Sequence, residues 1–184
     1  MPAAARDLCE ASDRIDRAHL ARTVEAIGIG AIVFGDLKNL RMSDYTFRRE
    51  DVVNFDGLTG PDVQFSHARC CSILRKAEGA PASVDLSRLV LEEERTVLMA
   101  LARVPEAVAE VCDQYEPSLV TRAIEDVSQA MASYLTAGEK DRARRVLVDD
   151  DRALRDARLA LVDAARNTLA IGLNLLGLSA PDSM

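Results

Sequence analysis

A chain of 184 residues with 48% hydrophobic content is long enough to bury one sizeable core, or one domain with a packed N-terminal extension, without disulfides. Aromatics make up only 4%, Trp is absent, and Ala, Leu, Arg and Glu abound, so the core must be aliphatic and helical; a β-rich fold is excluded and an all-α one expected. The net charge of −7 argues against a non-specific nucleic-acid binder, which needs a basic excess to displace counterions, so any RNA contact must use a local patch.

From Ala3 to Ile27 polar and apolar residues mix at helical spacing, with Leu8, Ile15, Leu20 and Val24 on one stripe and Gly28 as a natural stop. The glycine-rich Gly28–Gly35 stretch lacks both GxGxxG and a following Lys-Ser/Thr, so it predicts close backbone packing rather than a phosphate loop. Leu40–Gly60 reads as short extended pieces and turns. Pro61 then opens a helix on which Val63, His67, Cys71 and Leu74 recur, ending at the basic pair Arg75-Lys76. Gly79–Ser83 is the clearest break, dividing residues 1–78, an N-terminal extension and linker, from a helical bundle over 79–184.

Beyond it, helices are predicted at Glu92–Ala102, Pro105–Tyr115, Pro117–Ala137 and Asp151–Gly177, the last with Leu159, Val162, Leu169, Leu173 and Leu176 on one face. The basic run Lys140–Arg145 between the last two reads as solvated surface. Cys9, Cys70, Cys71 and Cys112 follow no zinc-type paired spacing, and His19 and His67 are the only histidines, so neither a metal site nor a cofactor is expected. With no signal-type h-region and no apolar run near 20 residues, a cytoplasmic protein with reduced thiols is expected.

Three stretches then resemble the arginyl-tRNA synthetase family: Ala26–Leu37 continuing through Ser43–Phe47 to Asn54–Gly57; Thr59–Arg69 ending in Ser72–Lys76; and Ala157–Arg166 with Gly172–Leu178, Ala180-Pro181 and Met184. Their order covers nearly the whole chain. The resemblance implies the C-terminal, all-helical anticodon-binding domain called DALR, entered from the tail of the catalytic half. The family's HIGH and KMSKS motifs lie upstream of these stretches and neither is present; His19–Arg22, His67–Cys70 and Arg41-Met42-Ser43 do not supply them. A chain that is no enzyme on its own is therefore expected.

By matching motif, the residues implied in tRNA binding are Gln64, Phe65, Arg69, Tyr134, Arg166 and Met184, since an unstacked anticodon loop needs rings to stack on and cations for its phosphates. Two departures stand against this surface. Asp62 occupies a position where the family usually has an aromatic, and Met131–Leu135 retains one aromatic of the usual three. The implied function is a non-catalytic tRNA-binding protein whose partner is tRNA, the arginine isoacceptors first. The alternatives are part of a split or truncated synthetase that needs a separate catalytic chain, and an interaction module that has lost RNA binding. A homo-oligomer or a separate catalytic chain would cover Ile32, Val33 and Phe34, which the sequence leaves without an obvious partner.

Overall fold

The computed structural model describes residues 17–46, 57–77 and 84–184, and over these it holds five α-helices, two single-turn 3₁₀ segments and no strand. Helix α1 runs Arg17–Leu37, α2 Gly60–Lys76, α3 Glu92–Gln114, α4 Ser118–Lys140 and α5 Arg152–Leu175. The all-α expectation holds. Residues 3–16 of the helix predicted from Ala3 to Ile27, the aromatic segment around Phe47 and Phe55, and the Gly79–Ser83 break fall outside the described residues.

Local chemistry explains most boundaries. The Thr59 side chain caps α2 by accepting from the Asp62 amide, with Pro61 in the first turn, and Asp151 caps α5 by accepting from the Leu154 amide. At the other end of α5, Gly177 takes a φ of +74°, and the Leu178 amide bonds back to Leu173 O at 2.9 Å. That Schellman-type reversal sends the C-terminal tail back across the bundle.

Two predicted boundaries are corrected. Gly28 does not stop α1, which continues to Leu37, because α1 needs its small residues inside the helix. A Cβ on Gly60 would lie 2.3 Å from Gly30 O, and one on Gly30 would strike the Gln64 side chain, so α1 and α2 approach backbone to backbone there. The close packing expected of this stretch is real. Pro105 likewise fails to split the third helix: α3 is continuous through it. Pro105 is exposed, and α3 is anchored before it by Val97, Ala100 and Val104, buried in the core, and after it by Ala107, Val108 and Val111, which pack against that core.

The core lies chiefly among α2, α3, α4 and α5. Ile124, Val127, Met131 and Tyr134 of α4 meet Leu161, Val162, Leu169 and Leu173 of α5 and Val97 of α3. The stripe expected on α5, Leu159 to Leu176, is buried throughout. Phe34, expected to lie partly uncovered, is completely buried, and Val33 packs against the core; Ile32, with Ile29, remains exposed on the outer side of α1. No described helix is long and apolar enough to cross a membrane.

Candidate nucleic-acid interface

Successive turns of α2 bring Phe65, Arg69, Ser72 and Lys76 onto one stripe, since residues three, four and seven apart share a helix face. Phe65 is 40% exposed, and the Arg69 guanidinium sits 5.9 Å from its ring centroid. This is a cation–π pair at the surface, an apolar ring with a charge held over it. Arg69 also reaches Glu139 of α4 at 3.2 Å. Glu139 is largely exposed, so that pair is weak and a stronger anion can replace it.

Beside the stripe the chain opens into a cleft of about 590 Å³ between the C-terminal ends of α2 and α4 and the α4–α5 connection. Four cations line it, Arg69, Lys76, Arg144 and Arg145, together with the carboxylate of Glu139; Arg144 is itself ion-paired with Glu93 of α3 and, at 3.4 Å, with Asp141. The 3₁₀ turn Arg142–Arg144 is capped by Asp141, which accepts from the Ala143 amide, and Arg145 Nε donates to Gly138 O at 3.2 Å. Gly138 permits this, because a Cβ there would press on Arg144 O at 3.1 Å.

What fixes the basic connection is buried beneath it. Arg158 of α5 is 2% exposed; its Nη1 donates to Ala143 O and Arg145 O, both at 2.8 Å, and its Nε to Glu94 Oε1 at 2.7 Å. Glu94, fully buried, also accepts from the Leu91 amide at 2.9 Å, closing the first turn of α3, and from the Tyr134 hydroxyl at 3.5 Å. Burial pushes the Tyr134 phenol well above its ordinary pKa, with the Glu94 charge adding to the effect. One buried ion pair thus ties α3, α4, α5 and the basic turn together.

The structure separates the six residues implied by the resemblance. Phe65 and Arg69 are adjacent and accessible. Tyr134 is corrected: its ring is 1% exposed and packed in the core, so it offers no stacking surface. Met131, one turn before it, is buried too, so its replacement of an aromatic alters core packing, whereas Leu135 is partly buried and lines the cleft. Gln64 is also corrected. It is completely buried, and its Nε2 donates to Ala26 O at 3.2 Å and Ser179 O at 2.8 Å, joining α1, α2 and the tail. Arg166 lies partly exposed on α5, with Nε and Nη2 both on Asp163 Oδ1. Met184 ends the tail, half-buried.

Asp62 has a local role. It sits in the first turn of α2, where a negative charge suits the helix dipole, and accepts from Ser128 Oγ at 3.2 Å. Lys76, Arg144 and Arg145 were not singled out from the sequence. The basic run was visible there, but nothing in it shows that Gly138 and Arg158 fold the run over α2.

The model of the DALR anticodon binding domain family matches residues 63–184. Among the similar curated proteins, the arginine–tRNA ligase of Ligilactobacillus salivarius is 42% identical over 160 residues, 87% of this chain and 27% of that protein. That of Enterococcus faecalis is 37% identical over 169 residues, 92% of this chain and 29% of that protein. The arginyl-tRNA synthetase of Thermus thermophilus superposes over the whole chain with a TM-score of 0.90 and 34% identity, covering 31% of that structure. The Plasmodium falciparum enzyme, at 20% identity and a TM-score of 0.75, shares the fold. The chain therefore spans less than a third of the length of the relatives it matches.

Proposed function

The chain belongs to the DALR anticodon-binding domain family of arginyl-tRNA synthetases, and from that premise we propose that it is a tRNA-binding module that holds an anticodon loop against the α2 stripe and the adjoining basic cleft. The observation that carries this reading is the juxtaposition of Phe65 and Arg69 with Lys76, Arg144 and Arg145. An exposed ring backed by a guanidinium suits a base taken out of its stack, and the cleft's cations suit the phosphates on either side. In a chain of net charge −7 this concentration of positive charge is local, as RNA recognition here requires. Arg166 and Met184 extend the proposed contact along the C-terminal edge.

The 184 residues match only the anticodon-binding part of the ligases and contain neither HIGH nor KMSKS. We assign them no ATP chemistry of their own; arginine activation that involves this chain draws on other residues, in a cytoplasmic setting. The interaction-module reading loses support, because Met131, one of its marks, is buried and Asp62 is engaged with Ser128.

Titration of the chain with total tRNA, followed by purified isoacceptors, tests the proposal. Binding should be selective for arginine isoacceptors. Phe65→Ala should weaken it by about 1–3 kcal/mol, the worth of one base–ring stack, with little change in salt dependence. Indifference to Phe65→Ala together with no isoacceptor preference would reject the reading.

A further inference from the structure

On the face of α2 turned away from the basic cleft, the C-terminal tail is fastened by a row of polar contacts. Gln64 holds Ser179 O, His67 holds Pro181 O at 2.9 Å, and Arg75 Nη1 donates to Asp182 O at 3.0 Å. Within this row the donor atoms of His67, Cys71 and Asp182 all lie within 4.8 Å of one another, the one such group of three among the described residues. We propose that His67, Cys71 and Asp182 form a binding site for a thiophilic divalent cation, zinc-like in its preferences, which staples the C-terminal tail to α2.

Three features of the geometry support it. His67 and Cys71 are four residues apart on one helix face, so both donors point the same way from rigid backbone. The carbonyl of Pro181 can only accept, so Nδ1 of His67 carries the proton and Nε2 is left with its lone pair; a backbone carbonyl that fixes the tautomer in this way is what a metal-bound imidazole needs behind it. The two spacings to the thiol also fit, while the three donors together lie within 4.8 Å of one another. Cys71 Sγ is 3.7 Å from His67 Nε2 and 3.5 Å from Asp182 Oδ1, against ligand-to-ligand edges of about 3.5 Å for a tetrahedral zinc with bonds of about 2.0–2.3 Å.

The Cys71 thiol now donates to the Asp182 carboxylate. The cation would take the place of that one proton, releasing it to solvent, and would sit between a thiolate and a carboxylate whose two charges neutralise it, with imidazole third and water fourth. Arg166, the nearest competing cation on α5, has its charge engaged by Asp163. Asp182 is exposed and His67 and Cys71 are buried, so the site would close only when the tail is seated.

The test is cobalt(II), then zinc(II), added to the full chain after chelator treatment. A thiolate-to-cobalt charge-transfer band saturating at one equivalent, bleached by zinc, is expected. Cys71→Ser should abolish the band and Asp182→Asn should weaken cobalt binding at least tenfold. Cys112→Ser, at an exposed cysteine, should change nothing. Zinc should also slow proteolysis of the C-terminal tail in the parent chain but not in Asp182→Asn, which alters an exposed residue and should leave the fold intact. Absence of the band, or its persistence in Cys71→Ser, would overturn the proposal.

Discussion

Two carboxylates are buried along α4, one toward each end, and they have met opposite fates. Near its C-terminal half, Glu94 of α3 takes three hydrogen bonds, from Arg158, the Leu91 amide and Tyr134. Near its N-terminal half, Glu125 of α4 is 8% exposed and its Oε1 has no partner. Burial pushes the Glu125 carboxyl up to about 7, with Asp126 and Asp62 adding to the rise while Lys38, just past the end of α1, and Arg122 oppose it. A paired buried charge fixes geometry, whereas an unpaired one gives up its charge. The paired one lies under the basic connection, which is where the protein needs a turn held still.

Removing the pairing should give the largest effect. Glu94→Gln leaves the Arg158 guanidinium buried without its counter-charge, and about 3–5 kcal/mol of stability should be lost in urea unfolding. The Arg158 grip on Ala143 O and Arg145 O should loosen with it. Replacing both partners, Glu94→Leu with Arg158→Met, should recover most of the stability but not the order of the turn, because the carbonyls then have no donor. A loss below about 1 kcal/mol for Glu94→Gln would mean that the pair does not anchor this end.

Glu125 should behave in the opposite sense, with a smaller effect. Its folded-state pKa lies above the ordinary 4.5, so below pH 4.5 both folded and unfolded forms hold the proton and there is no ionisation cost to burial. The cost develops as pH rises from 4.5 and is complete once the folded form ionises above about 7. Glu125→Gln should therefore raise the melting temperature by a few degrees at pH 8 and leave it unchanged at pH 4. An equal gain at both pH values would remove ionisation as the cause.

These two environments also mark how far the sequence could be read. Helices α2, α4 and α5 were legible because Pro61, Pro117, Asp151 and Gly177 punctuate apolar stripes whose period is helical, and the resemblance supplied the fold. Helix α3 was divided at Pro105 because a proline's local cost was weighed without the packing on both sides of it. Tyr134 was assigned to the surface because a motif carries residue types and not burial; only the neighbouring α3 and α5 show that its face is interior. Glu94 and Arg158 were missed for the same reason. Two charged residues 64 positions apart, on helices rich in charge, give no sign in sequence that they are buried together.

The central claim is that the turn held by Arg158 completes an RNA-binding face with α2, and the salt dependence of tRNA affinity tests it most directly. Arg144→Ala with Arg145→Ala should lower the slope of log affinity against log salt by about two units, one for each phosphate contact removed. Arg95→Ala with Arg103→Ala, which alters a groove between α3 and α4 and removes the same formal charge, should leave that slope unchanged. Equal losses from the two pairs, or an unchanged slope in the first, would contradict the account.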